Sequence, residues 1–311
     1  MQPETQPAAQ RVVSLLPAAT EMMVALGYEA QLVGRSHECD YPASVQDLPA
    51  CTRSNLKASG SEAIDNEVKD LLKDGLSLYD IDIEQLKALK PDLILTQAQC
   101  EVCAVSLAEV EKAVQEHLDS AVKILSLQPE DMGDVWTDIR NIAKAMGDEE
   151  KGHHLVFKLQ QRQATVAAGA LDSPPRVVCI EWMKPLMAAG NWMPELVEMA
   201  SGDNLIGVMG EHSPTISWQE LVDVAPDMLI LMPCGYTIED TKKDMALLTE
   251  HPQWSELPAV KKGEIYIADG HQYFNRPGPR LAESLEILGE ILHPETFHFG
   301  HEGTGWIKWQ G

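Results

Sequence analysis

Basic residues are scarce in this sequence. Lys and Arg number 24 against 48 Asp and Glu, which gives a formal net charge of −24. A protein that binds nucleic acid or an anionic lipid surface needs a basic face, and no Lys/Arg cluster stands out here. Apolar runs are also short of the roughly 20 residues that span a bilayer. We therefore expect neither a nucleic-acid partner nor membrane insertion.

Motifs that carry known chemistry are missing as well. The chain has no G-x-G-x-x-G, Walker loop, G-x-S-x-G or H-E-x-x-H, which favours a protein that is not an enzyme. Its six cysteines are too few for a disulfide scaffold. The N-terminus lacks a charged segment followed by an apolar one, which predicts a cytoplasmic protein, or a periplasmic one if residue 1 is not the native start.

Two segments of the chain repeat the same order of elements. Residues 11–17 (RVVSLLP) and 176–182 (RVVCIEW) are apolar, β-branched runs, each followed by a loop and a helical pattern that ends near a glycine. Residues 83–95 and 219–231 both read as helix, Pro-Asp turn and buried strand, with Leu86 and Leu221 in register. The repeat predicts two similar α/β lobes.

The sequence therefore predicts an α/β protein with two Rossmann-like lobes built on parallel sheets. Further strands are expected at residues 31–35, 122–127, 186–189, 204–207 and 265–268. The predicted organisation is a disordered N-terminus (1–10), an N-terminal lobe (11–130), a helical linker (131–172) and a C-terminal lobe (173–311). Gly147 and Gly152 are candidate breaks in the linker.

Ligands of open parallel sheets bind beyond the carboxyl ends of the strands, so the residues after each strand are the candidates. Five of them are thiols or imidazoles suited to a soft metal: His37, Cys100, Cys103, Cys234 and His271. Four aromatic residues could pack against a planar ligand, with one carboxylate beside them: Trp182, Tyr236, Tyr273, Phe274 and Glu181.

Several similar residues are interpreted as structural. Cys179 lies within a strand and is expected to act as a small apolar residue, and Cys51 is left unassigned. Five histidines in the linker and tail are interpreted as surface residues: His153, His154, His293, His298 and His301. Trp306 and Trp309 are expected to anchor the tail by packing.

Three blocks of sequence resemble a known family. RVVSLLPAATEMMVALG, SLYDIDIEQLKALKPDLILTQ and EWMKPLMAAGNWMPELVEMASG are similar to the helical-spine (class III) solute receptors of ABC importers. The likeness covers about residues 11–292 and is nearest to the cobalamin-binding branch. HECDYP, CEVCAVS, PCGY and HQYFNRPGPR look like a thiol-rich subgroup without secretion signals.

This resemblance implies the class III periplasmic-binding-protein fold, in which one long helix joins two lobes and a cleft binds the ligand without catalysis. It also implies an ABC-importer permease as partner, docked through one glutamate on each lobe. Glu84 occupies that place in the first lobe, whereas Gln219 stands there in the second, with Glu220 next along the chain.

Three functions remain open from the sequence. The leading one is binding of a cobalamin, another corrinoid or a similar metal chelate between the lobes. The second is direct binding and trafficking of zinc or copper by the same Cys and His residues. The third is a thiol-redox enzyme that uses Cys100 and Cys103, although the charge of Glu101 disfavours a thiolate there.

Overall fold

The chain folds into two α/β units. The computed structural model describes residues 10–74, 76–98, 105–169 and 173–311. Within these ranges the first unit comprises residues up to 57, 67–129 and 133–158, and the second comprises 58–66, 130–132 and 159–311. The disorder predicted for residues 1–10 falls outside the described residues, apart from Gln10.

The N-terminal half alternates strands and helices, as the sequence predicts. Its elements are β1 (Val12–Ser14), α1 (Pro17–Ala25), β2 (Leu32–Arg35), β3 (Thr52–Ser54), α2 (Ser61–Lys73), β4 (Tyr79–Ile81), α3 (Ile83–Leu89), β5 (Leu93–Gln97), α4 (Leu107–His117), β6 (Lys123–Leu127), α5 (Met132–Ala145) and α6 (Glu149–Ala167). Two 3-10 helices, Glu29–Gln31 and Ala43–Asp47, flank β2.

The C-terminal half continues the alternation. Its elements are β7 (Arg176–Trp182), β8 (Met187–Ala188), α7 (Met193–Met199), β9 (Asp203–Asn204), α8 (Trp218–Val224), β10 (Met228–Leu231), α9 (Ile238–Asp244), α10 (Ala246–Thr249), a 3-10 helix (Trp254–Glu256), α11 (Pro258–Lys262), β11 (Ile265–Ala268), α12 (Leu281–Leu292) and β12 (Trp306–Lys308). No helix in the described ranges is both long and apolar enough to cross a membrane.

Each unit is organised around a mainly parallel sheet. The first has four strands in the order β2-β1-β5-β6, all parallel. The second has the order β12-β11-β10-β7-β8, with β9 also paired to β7. Its inner strands are parallel, and β8 and β12 run antiparallel at its edges. Most apolar residues of these strands are buried, as expected for the strands of parallel sheets.

The internal repeat is visible in atomic detail. The residue after α3, Lys90, and the residue after α8, Ala225, are both left-handed with φ 47°. In each case the next residues are Pro-Asp, and the strand follows. Leu86 and Leu221, which the sequence aligns, are both 1% exposed. Each helix therefore ends in the same turn and buries the same side against its own sheet.

An arginine holds each of these turns. Arg11 donates from Nε to the carbonyl oxygen of Leu89 at 2.8 Å, and Arg176 donates from Nη2 to that of Val224 at 2.6 Å. Both carbonyls belong to the last residue of a helix, where the acceptor has no partner within the helix. Each of the two arginines is the first residue of an RVV sequence, at 11–13 and at 176–178, in which β1 or β7 begins.

The linker predicted at 131–172 contains two helices, of which α6 is the longer with 19 residues. Helices α5 and α6 are separated at Gly147, which has φ 82° and was a predicted break. Glycine tolerates this left-handed conformation, which ends α5. Gly152, the other predicted break, lies within α6, where an added Cβ would approach Cβ of Ala143 to 2.8 Å. Its role is therefore close packing of the two helices.

The sequence misplaced some boundaries. The strand expected at 204–207 ends at Asn204, because Gly207 turns with φ 91° and approaches the carbonyl of Ala189. Helix α1 begins at Pro17, the last residue of the run 11–17, rather than after a loop that follows this run, since proline fits the first turn of a helix. Three short strands, β3, β4 and β12, were not predicted.

Candidate functional site

Two of the predicted aromatic residues lie together in the second unit. Trp182 ends β7, and Tyr236 lies in the loop after the neighbouring strand β10. Their rings meet edge to face, with centroids 5.5 Å apart at 70°. The indole Nε1 of Trp182 donates to the carbonyl of Lys184 at 3.1 Å, which fixes its orientation. This Trp182–Tyr236 pair stands where ligands of parallel sheets bind.

The hydroxyl of Tyr236 is part of a hydrogen-bonded group. It donates to Oδ2 of Asp244 at 3.3 Å, and Ser61 also hydrogen-bonds it. Burial raises the pKa of Tyr236 to about 12, so the hydroxyl keeps its proton over the whole physiological range. Sequence reasoning missed both Ser61 and Asp244, since neither follows a predicted strand.

Glu181 precedes Trp182 on β7 and has an unusual environment. Its Oε2 accepts the hydroxyl proton of Ser213 at 2.9 Å, and the backbone N–H of Gly190 also donates to it. No cation is among the groups that shift its pKa. Burial raises that pKa to about 7, against the lowering effect of the two hydrogen bonds. The carboxyl therefore changes its charge near neutral pH at the end of a strand.

His271 lies in the loop after β11, next to the loop of Tyr236. Its backbone N–H donates to the carbonyl of Tyr236 at 2.9 Å and to Oδ1 of Asp269 at 3.0 Å. The guanidinium of Arg276 donates to Nε2 of His271 at 3.3 Å. Because arginine only donates, Nε2 must accept, and the proton of the neutral ring lies on Nδ1. A metal ion that bound to Nε2 would have to displace Arg276.

The other two predicted aromatic residues lie in different surroundings. Tyr273 packs against His301, with centroids 6.3 Å apart, and under the guanidinium of Arg280 at 5.5 Å. Phe274 is 0% exposed, and its carbonyl accepts the indole N–H of Trp192 at 2.8 Å. In this structure Phe274 therefore packs in the core, with no exposed surface to offer a ligand.

The described cysteines are all free thiols. Cys234 is partly buried, and its N–H donates to the carbonyl of Glu181 at 3.1 Å, which places it next to Glu181. Cys179 is buried in β7, as expected, and burial raises its pKa to about 12. Burial has the same effect on Cys51, also to about 12. Cys100 and Cys103 lie outside the described residues.

His37 is the candidate of the first unit. Its Nδ1 lies 2.8 Å from Oγ1 of Thr52, which donates its own proton to Oγ of Ser36 at 3.1 Å. With the proton of Thr52 directed at Ser36, Nδ1 is the donor and Nε2 carries the lone pair. Nε2 is buried without a hydrogen-bond partner, and burial lowers the pKa of His37. A hydrogen bond at one ring nitrogen that leaves the other as acceptor is the arrangement of metal-binding histidines.

Among the residues that the structure describes, other side chains do not complete a metal site around these candidates. Within the described ranges, no group of three or more His, Cys, Asp or Glu is placed to hold a metal ion. The Nε2 of His37 lies 3.9 Å from Oε1 of Glu38.

Two histidines interpreted as surface residues are structural, so that interpretation was wrong for them. His293 is 4% exposed and donates from Nε2 to the carbonyl of Ala200 at 2.6 Å. His301 pairs with Glu286 at 3.0 Å, which raises the pKa of the imidazole. Both lie in the segment that follows or packs on α12, where the C-terminal tail folds back onto the unit. Trp306 donates there to Glu290 at 2.7 Å, as its expected packing role requires.

The two predicted docking glutamates both lie in the first turn of a short helix. Glu84 is exposed on α3 and pairs with Lys87 at 2.9 Å. Glu220 on α8 is also exposed, but its Oε2 accepts from the N–H and the hydroxyl of Ser217 at 2.7 and 2.8 Å. These bonds lower the pKa of Glu220 and form a capping box. Its carboxylate therefore already caps the N-terminus of α8.

A family model described as periplasmic binding protein matches residues 12–271. The chain belongs to this family. The likeness read from the sequence is thus confirmed, and so is the predicted fold class. Among curated relatives, the substrate-binding lipoprotein YvrC of Bacillus subtilis is 24% identical over 93% of this chain and 81% of its own length. A vitamin B12-binding protein of Vibrio vulnificus is 23% identical over 90% and 89%.

Solved structures share the fold. The periplasmic vitamin B12-binding protein BtuF of Vibrio cholerae matches with a TM-score of 0.64 and 21% identity, over 92% of this chain and 98% of its own. A periplasmic heme-binding protein of Pseudomonas aeruginosa matches with a TM-score of 0.68 and 20% identity, over 93% and 94%. At these identities the likeness shows the fold, and ligands differ among its members.

Proposed function

We propose that this periplasmic binding protein family member binds a cobalamin, or a related planar metal chelate, and has no catalytic role. The observation that carries the proposal is the edge-to-face Trp182–Tyr236 pair at the ends of neighbouring strands. An aromatic pair of this kind offers apolar area to a macrocycle. The names of relatives, which include vitamin B12-binding and heme-binding proteins, support this ligand class.

Polar groups would orient the ligand on this apolar surface. Glu181 and Cys234 lie beside the pair, and His271 follows in the adjacent loop. The ligand-binding sites of proteins generally combine an apolar wall with a few placed polar groups. His37, in the first unit, is proposed as a metal-contacting group, and its Nε2 has no hydrogen-bond partner. Tyr273, Cys100 and Cys103, which the sequence predicts as ligand or metal contacts, are also proposed to belong to the site.

The ligand would be passed to an ABC-importer permease. Glu84, exposed on α3, is the docking residue proposed for the first unit, and Glu220 on α8 is proposed for the second. Delivery to a permease favours the periplasmic location over the cytoplasmic one. Replacing Glu84 with Ala should then weaken co-purification with the permease while ligand affinity stays unchanged.

Titration with hydroxocobalamin, followed through the corrin absorbance bands, tests the proposal. Saturable binding is expected, and a spectral shift would indicate that a protein group replaces an axial ligand. Haemin is titrated in parallel to separate a corrinoid site from a general macrocycle site. The W182A/Y273A and W182A/Y236A double variants should both bind at least about tenfold more weakly, because each removes more than 1.4 kcal/mol of aromatic burial. Trp218→Ala, which alters a tryptophan stacked on His251, is the control.

Absence of saturable binding to both macrocycles would contradict the proposal. Elemental analysis of the protein as isolated would then test direct zinc or copper binding. In that case the metal should be lost in the C100S/C103S double variant. Rapid alkylation of the same two cysteines at neutral pH would instead support thiol-redox chemistry, since only a thiolate of lowered pKa reacts fast.

A further inference from the structure

A short segment of the chain, residues 58–66, packs onto the second unit next to the Trp182–Tyr236 pair. These nine residues are part of the second unit, although the chain on either side of them belongs to the first. The segment contains the first turn of α2, which begins at Ser61. We call residues 58–66 the strap.

The first anchor of the strap is Asp244, the last residue of α9. Its Oδ2 accepts the backbone N–H of Ser61 at 2.6 Å and the hydroxyl of Ser61 at 2.7 Å. A carboxylate at this place satisfies an N–H that has no partner within the helix and lies at the positive end of the helix dipole. Helix α2 is thus capped by a residue 183 positions along the chain.

Gly60 makes the turn into α2 possible. It turns the chain into α2 with φ 89°, and an added Cβ would lie 3.4 Å from Oδ1 of Asp244. Ser61 itself has 0% exposed surface. The contact is therefore closely packed rather than a loose surface pairing.

The second anchor is an ion pair. Nζ of Lys184 lies 2.7 Å from Oε1 of Glu62, with both side chains about half exposed. An exposed pair of this kind contributes little stability by itself. Its importance is its position, one residue along from Ser61.

Each anchor of the strap also holds one member of the aromatic pair. Asp244 accepts from the hydroxyl of Tyr236, and the carbonyl of Lys184 accepts from the indole of Trp182. With the strap in place, Tyr236 is only 8% exposed. A ligand that packs on this ring needs a larger exposed area of the ring than that.

We propose that residues 58–66 are a releasable strap, latched by Asp244, that gates access of the ligand to Trp182 and Tyr236. This inference rests on the proposed role of the pair as a ligand wall. Release of Ser61 from Asp244 removes the strap from beside the ring and leaves the hydroxyl of Tyr236 bonded to Asp244 alone. Rebinding of Ser61 restores the closed arrangement.

Hydrogen–deuterium exchange of the full chain without any ligand tests the latch. In Asp244→Ala the peptides that cover the strap should exchange about tenfold faster than in the wild type, as loss of a charge-assisted hydrogen bond predicts. Ser61→Ala, which alters the strap side alone, should give a smaller increase in the same peptides. Glu239→Gln removes a charge from the same helix α9, where it pairs with Lys242, and should change nothing in the strap.

Quenching of tryptophan fluorescence by acrylamide gives a second readout. The contribution of Trp182, obtained by difference from Trp182→Phe, should be quenched more strongly in Asp244→Ala than in the wild type. Unchanged strap exchange in both latch variants would overturn the proposal. So would faster exchange spread evenly over the second unit, because that would mean general destabilisation.

Stopped-flow binding of hydroxocobalamin separates the two proposals. If both hold, the association rate should rise several-fold in Asp244→Ala and stay at the wild-type value in Glu239→Gln. Binding with identical rates in all three proteins would overturn the gate while leaving the proposed function intact. Localised strap exchange in a protein that binds no macrocycle would support the latch and contradict the ligand.

Discussion

The hydroxyl of Ser213 donates to Oε2 of Glu181 at 2.9 Å and holds this carboxyl beside Trp182. The two residues lie 32 positions apart in the sequence. No cation is among the groups that shift the pKa of Glu181, so its charge depends on the balance between burial and two hydrogen bonds. This balance gives the site a pH dependence that can be measured.

Glu181→Gln should therefore change stability in a pH-dependent way. The folded-state pKa of Glu181, about 7, is above its ordinary value of 4.5. Below pH 4.5 the carboxyl is protonated in both the folded and the unfolded state, so there is no cost of burying its charge. The wild type loses stability as pH rises to 7, by up to about 3 kcal/mol. Relative to wild type, E181Q should gain melting temperature between pH 5 and 8. A difference that is flat over this range would contradict the assigned pKa.

Asp138 on α5 provides a second buried carboxyl for comparison. Burial, and then the charge of Asp134, raise its pKa to about 7, and its Oδ2 is buried without a partner. The pKa of Asp138 is shifted in the same direction as that of Glu181. The gain in stability of Asp138→Asn over the wild type should therefore increase as pH rises from 5 to 8. Asp138 is not among the residues proposed to contact the ligand, so this variant should leave hydroxocobalamin binding unchanged. Thermal unfolding and the titration, each at two pH values, check both statements.

The tautomer of His37 can be tested by nitrogen NMR of the imidazole. With Thr52 donating to Ser36, the proton lies on Nδ1, and burial and then Arg35 lower the pKa of His37 from its ordinary 6.5. Stability attributable to neutral His37 is thus present above pH 6.5 and is lost as pH falls through the lowered pKa. In Thr52→Val the preference for Nδ1–H should weaken. Finding the proton on Nε2 in the wild type would exclude His37 as an axial ligand through that atom.

Gly270 is expected to tolerate no side chain. A Cβ added there would lie 2.2 Å from the carbonyl oxygen of Pro233, a backbone atom that has little freedom to move. Gly270→Ala should lower the free energy of unfolding by about 3 kcal/mol and disturb the adjoining His271 loop. Gly263→Ala is the control, because Gly263 has φ 69° but open space around it. It should cost about 1 kcal/mol and leave ligand binding unchanged.

The sequence by itself determined the two-unit α/β organisation. The signals were local: β-branched runs, Pro-Asp turns and glycines that end helices. Each reports a backbone preference that acts over a few residues, and the paired turns after α3 and α8 show the same preference used twice. Strands of three residues, such as β3 and β12, carry too short a pattern to be recognised, and their pairing partners stabilise them.

Within the candidate site, the sequence predicted Trp182, Tyr236, Glu181 and His271, because the carboxyl ends of parallel strands always meet at one edge of a sheet. It did not predict that Phe274 is fully buried or that His293 is a core residue, since burial depends on what packs from distant segments. Ser213 beside Glu181, and Ser61 with Asp244, came together only through the tertiary structure. Hydrogen bonds across 32 and 183 positions leave no periodic signal in a single sequence.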